Sequence, residues 1–88
     1  MTVGGSRPRL RNGVMLTFDP VRQAHVVLFP EGVIVPNETA TAVLQLCDGA
    51  ASVTDISRRL GERFRGVHDA EVTQVLDRFA DRRIIEWV

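Results

Sequence analysis

The stretch Pro30-Glu31-Gly32-Val33-Ile34-Val35-Pro36-Asn37-Glu38-Thr39-Ala40-Thr41-Ala42-Val43-Leu44-Gln45-Leu46-Cys47-Asp48-Gly49 decides the architecture. Its hydrophobic period changes at Pro36. Before that residue, Val33-Ile34-Val35 is a short β-branched run flanked by proline on both sides. Proline cannot donate to a ladder, so the run reads as an edge strand. After it, Asn37 is a good helix N-cap with Glu38 in the first turn. Ala40, Val43, Leu44 and Cys47 then recur at i, i+3, i+4 and i+7, one face of a helix. Gly49 stands where a C′ glycine belongs.

Upstream, two further strand signals appear. Val14-Met15-Leu16-Thr17-Phe18 is broken by Asp19-Pro20, and Ala24-His25-Val26-Val27-Leu28-Phe29 is stopped by Pro30-Glu31-Gly32. Residues 1–12 hold Gly4, Gly5, Ser6 and Pro8 among Arg7, Arg9 and Arg11, and read as a flexible basic arm. Order is expected to begin near Val14, with residues 13–88 forming the domain. Downstream, a second helix starts at Thr54, or at Ser52 through a Ser-x-x-Asp box with Asp55. Its stripe is Ile56, Leu60 and Phe64, and Gly66 ends it. Asp69 caps a third helix with Val72, Val75, Leu76 and Phe79 on its apolar face. Ile84-Ile85-Glu86-Trp87-Val88 is an extended tail. Strands first and helices after predict an α+β domain: a three-stranded antiparallel sheet followed by a three-helix, helix-turn-helix-like bundle.

Composition narrows the function. The chain has 88 residues, with 11 arginines, no lysine and 11 carboxylates, for zero formal net charge. That length allows one domain and leaves little room for both a core and an enclosed catalytic pocket. Neutrality argues against generic attraction to nucleic acid or anionic lipid. No run of about 18 apolar residues exists to span a membrane, and no signal-peptide core is seen. A single cysteine forms no internal disulfide, and a cytoplasmic setting is expected.

The side chains carry no catalytic constellation. Cys47 lies on an apolar helical stripe and reads as a small hydrophobe rather than a reactive thiol. His25 and His68 lack neighbours with metal-ligand spacing, and no phosphate-binding glycine loop follows a strand. On the third helix, Asp69, Glu71, Asp77 and Asp81 stand against Arg78, Arg82 and Arg83, a poor balance for a helix entering a groove of phosphates. What remains is the edge. Three consecutive apolar residues cannot all face one core, because alternate residues of a strand face opposite sides. Either Ile34 or both valines point elsewhere. The spare face is either covered by another segment of the chain or open to an added strand.

The blocks Pro30-Glu31-Gly32-Val33, Asn37-Glu38-Thr39-Ala40, Leu44-Gln45-Leu46-Cys47-Asp48-Gly49 and Val53-Thr54-Asp55-Ile56 together resemble the PqqD family of pyrroloquinoline quinone (PQQ) biosynthesis. Pro8-Arg9-Leu10-Arg11-Asn12-Gly13-Val14 and Val75-Leu76 with Phe79 also fit, so the resemblance covers nearly the whole chain after the arm. It implies a winged-helix-like fold and a non-catalytic peptide chaperone without cofactor or metal, of the kind called a RiPP recognition element. Such a domain binds the precursor peptide PqqA and presents it to the radical S-adenosylmethionine enzyme PqqE. The resemblance also implies that the peptide adds as a strand to the third strand and lies against the third helix. Carried onto this chain, the peptide-binding residues are Val33, Ile34 and Val35 facing Val72, Leu76 and Phe79, or their groove-side neighbours. Asn37 and Asp48-Gly49 read as structural. Pro36 departs from the family pattern and removes a ladder donor at that end. The alternatives are recognition of another ribosomally made, modified peptide, or a small winged-helix DNA-binding protein. An open edge with short loops also permits a strand-swapped homodimer beside the monomer.

Overall fold

In the computed structural model, residues 7–88 are described. The order is β1 (Pro8–Leu10), β2 (Met15–Asp19), β3 (Ala24–Phe29), β4 (Gly32–Ile34), α1 (Glu38–Gln45), α2 (Val53–Gly61), α3 (Asp69–Asp81) and β5 (Ile85–Trp87). β2, β3 and β4 form one antiparallel sheet in that order, which leaves β4 at an edge. The expected α+β architecture is therefore present, with two small strands added.

Those added strands correct one expectation. Pro8–Leu10 is not part of a loose arm but pairs antiparallel with Ile85–Trp87, Arg9 opposite Glu86. Arg9 Nε donates to Glu86 Oε2 at 2.7 Å, and the backbones of Arg7 and Val88 exchange two further bonds. Order thus begins well before Val14. A three-residue strand opening on proline has no periodicity to read, and its partner lies 77 residues away. Residues 1–6 of the expected arm lie outside the described residues.

Register explains how the sheet meets the helices. Leu16, Val27 and Ile34 form one cross-strand row, and Met15, Leu28 and Val33 the next. The first row packs on the core with Val43, Leu44, Ile56, Leu60, Val72, Leu76, Ile84 and Ile85. The second is exposed, as period-two alternation requires.

The helix ends follow local chemistry. Asn37 Oδ1 accepts from the Ala40 N–H at 2.8 Å, the expected cap of α1. Of the two candidates for α2, Ser52 is the cap. Its hydroxyl accepts from Asp55 N while Asp55 Oδ2 accepts from Ser52 N, a complete capping box. That helix stops at Gly61 and not at Gly66. Glu62 and Arg63 donate to carbonyls three residues back, a tightened last turn that carries Phe64 down against the core. α3 begins one residue earlier than expected: His68 is the N-cap, and its N–H donates to Glu71 Oε1 at 3.0 Å. Thr54 Oγ1 donates to Asp69 Oδ2 at 3.2 Å and ties the starts of α2 and α3 together.

The Asp48-Gly49 pair is structural, as expected. Asp48 Oδ1 accepts from the Ala50 and Ala51 N–H groups at 2.8 and 3.0 Å, which turns the chain from α1 towards α2. The Ala50 bond first, then that of Ala51, holds the Asp48 carboxyl below its ordinary value. Gly49 has φ +81°, and its N–H donates to the Pro8 carbonyl at 2.9 Å. A side chain there would face Arg9 at 3.5 Å in a left-handed backbone conformation. Glycine therefore serves both the helix end and the docking of β1.

Candidate functional site

Cys47 is not part of a site. It is 6% exposed, its Sγ lies 3.2 Å from the Val43 carbonyl, and burial pushes the thiol up to about 12. A thiol so placed is protonated at neutral pH and inert as a nucleophile. Among the described residues no group of His, Cys, Asp or Glu is arranged to hold a metal ion. None of the helices described is long and apolar enough to cross a membrane.

The exposed edge of β4 is the feature that stands open. β3 and β4 are joined by the two residues Pro30 and Glu31, with Phe29 opposite Gly32 and Val27 opposite Ile34. Pro30 has no N–H, so the pair that exchanges hydrogen bonds across this hairpin is Phe29–Gly32. The next such pair is Val27–Ile34, because bonded and non-bonded pairs alternate in an antiparallel ladder. The backbone N–H and C=O of Val33 therefore point away from β3, to the free edge. Val35 and Pro36 lie beyond β4, so the donor that Pro36 lacks is not part of the β3–β4 ladder.

Side-chain directions resolve the earlier alternative. Val33 and Val35 are 54% and 52% exposed and turn to the outer face, while Ile34 packs inward on the core. Both valines, and not Ile34, are the residues that point elsewhere.

Beside this edge lies an open groove of about 450 Å³ between β4, the start of α1 and the C-terminal half of α3. Ile34, Ala40, Val75 and Phe79 supply its apolar surface, and Arg78 and Arg82 line it from α3. Of the residues carried over by resemblance to α3, Phe79 lines the groove and two do not. Val72 and Leu76 are 1% and 0% exposed and belong to the core, beneath the helix rather than beside the groove. Phe79 is buried but still lines the groove. The helix period explains the difference: Val75, Arg78 and Arg82 lie on the flank one step round from the Val72–Leu76 stripe. Val75 was read as part of the apolar face. The two arginines enter the sequence reading only through the charge balance of the third helix, and no sequence signal separates a groove-lining arginine from any other on a helix surface.

The family profile described as coenzyme PQQ synthesis protein D (PqqD) matches residues 24–85. The chain is 40% identical over 76 residues to a "PqqA binding protein" of Bradyrhizobium diazoefficiens, covering 86% of this chain and 74% of the relative. It is 37% identical over 84 residues to one of Rahnella aquatilis, covering 92% and 84%. A similar stretch makes up 23% of a bifunctional coenzyme PQQ synthesis protein C/D of Methylorubrum extorquens, at 37% identity over 86 residues. Among solved structures, the solution NMR structure of the PqqD truncation of Methylobacterium extorquens PqqCD aligns with a TM-score of 0.70. The two are 36% identical, and the alignment covers 98% of this chain and 95% of that one. That structure represents a functional, stand-alone RiPP recognition element. The first two relatives and this neighbour are named for binding and recognition, in agreement with the expectation that the chain is not an enzyme. By profile, identity and fold together, the chain belongs to the PqqD family of coenzyme PQQ synthesis proteins.

Proposed function

We propose that the chain binds the precursor peptide PqqA by adding it as a further strand to the edge of β4, seated against α3, and presents it to the radical S-adenosylmethionine enzyme PqqE. The observation that carries the reading is the parity of β4. The outward backbone groups of Val33 are free at an edge, directly beside an apolar groove. Main-chain bonds supply affinity without regard to peptide sequence, and the groove supplies selectivity through alternate side chains. The curated relatives named as PqqA binding proteins support PqqA as the peptide. The bifunctional C/D relative supports a domain that works beside a biosynthetic partner. The edge that takes a peptide also takes a second copy of itself, so a strand-swapped homodimer competes with PqqA and the monomer is the binding form. A cytoplasmic setting fits the single, reduced, buried cysteine.

The test is titration of labelled chain with PqqA, followed by amide shifts, and then PqqE turnover of PqqA with and without the chain. Shifts concentrated in β4 and α3, together with a chain-dependent rise in PqqE product, are expected. Shifts confined to Arg58 and Arg59 of α2 and Arg63 just past its end, or turnover indifferent to the chain, would refute the reading.

A further inference from the structure

The groove beside β4 is not uniformly apolar. Arg78 on α3 and Arg82, the C-cap four residues on, both line it, as does Asp81. The four ion pairs formed among the described residues use Arg9, Arg11, Arg22 and Arg58. Neither groove arginine takes part in one, and neither does Asp81. Cations near a helix C-terminus complement its dipole wherever they point. What distinguishes Arg78 and Arg82 is that they border an apolar surface; Arg82, with Asp81, also borders the neighbouring hollow that Arg83 and Glu31 line. Two guanidinium groups against one carboxylate leave the groove wall with one unmatched positive charge, next to a surface that an entering side chain would dry.

We infer that the groove selects a peptide segment with an acidic residue two positions from a large apolar one. The apolar side chain seats on Ile34, Val75 and Phe79, and Arg78 and Arg82 take the carboxylate. The inference rests on the strand-addition reading and deepens it. Spacing supports it. Residues facing one side of a strand repeat at about 6.8 Å. The midpoint of Val75 and Phe79 lies about 4.5 Å along the helix from the midpoint of Arg78 and Arg82, at 1.5 Å per residue. The length of the arginine side chains spans the remaining ~2 Å. A bidentate guanidinium–carboxylate bond then gives direction as well as affinity, since only one register places both side chains. Asp81 opposes the same carboxylate and sets the sign of a further effect.

The experiment is an anisotropy titration of labelled PqqA against the full chain at low and high salt, with thermal melts to show that each variant is folded. Wild-type binding is expected to weaken severalfold in high salt. R78Q/R82Q is expected to bind about tenfold more weakly at low salt and to lose most of that salt dependence. D81N is expected to bind more tightly at low salt. PqqA with its acidic residues changed to amides should lose about as much affinity for the wild type, and nothing further for R78Q/R82Q. If R78Q/R82Q matches wild type while the β4 amides still respond to the peptide, the arginine inference is overturned and strand addition stands. If the wild-type chain does not bind PqqA at all, the underlying reading falls.

Discussion

Val33→Pro separates strand addition from simple groove binding. Proline is tolerated on an edge strand where the missing N–H faces solvent. Val33 meets that condition, because the β3–β4 ladder uses the groups of Gly32 and Ile34 and leaves those of Val33 outward. Its side chain is more than half exposed, so little packing is lost, and the fold should change in stability by no more than about 1 kcal/mol. An added strand, however, loses one backbone donor, worth about 0.5–1.5 kcal/mol net, and meets the proline ring where its own carbonyl should sit. Together these cost about 1–3 kcal/mol, a roughly five- to 150-fold rise in Kd for PqqA. Isothermal titration gives the affinity and urea denaturation gives the stability. Ile34→Pro is the control: its N–H belongs to the β3 ladder, so it should lower stability by about 3 kcal/mol. A folded Val33→Pro chain that binds PqqA within twofold of wild type would show that the peptide does not pair with β4.

Val75→Asp should weaken PqqA binding while leaving the urea midpoint nearly unchanged, because Val75 is half-buried at the groove. Leu76→Asp, one residue on, should fail to fold, because it puts an unpaired carboxylate into the core. Equal effects of the two on stability would contradict the helix facing described. Gly49→Ala should cost about 1–2 kcal/mol in urea denaturation, from the left-handed backbone and the approach of Arg9; no loss would mean that the turn rearranges freely. Acid should destabilise the chain in a defined window. Asp19, held down first by the Arg22 side chain, Asp48, by the Ala50 N–H, and Asp55, by the Ser52 N–H, all titrate below their ordinary value of 3.8. A depressed folded pKa gives stability that is present above the unfolded value and lost as pH falls through the folded one. The urea midpoint should therefore drop below about pH 4, and less steeply in an Asp48→Asn/Asp55→Asn double variant; parallel profiles would refute the assignment.

The parts of the fold legible in the sequence were those governed by local rules. The switch of period at Pro36, the Asn37 cap and the Ser52–Asp55 box each act within four residues, and they locate β4 to within a residue, the start of α1, and one of the two candidate starts of α2. β1 is not legible locally, because its stability comes from a partner at the far end of the chain. The end of α2 is not legible either, because Phe64 continues the i, i+4 stripe in space even though the backbone has left the helix. For the site, the edge strand was visible in its flanking prolines. The groove face of α3 was not, because Val72, Val75, Leu76 and Phe79 form one apolar stripe on a helical wheel. Only packing against α1, α2 and β5 decides which of them is sealed. The roles of Arg78 and Arg82 depend on what stands opposite them, and that is a tertiary fact.

Backbone amide exchange at β4, measured with and without PqqA, tests the central claim most directly. An added strand should slow exchange at Val33, whose N–H faces the free edge, and should leave Ile34, already bonded to β3, nearly unchanged. Unaltered exchange at Val33 in a chain saturated with PqqA would contradict strand addition at this edge.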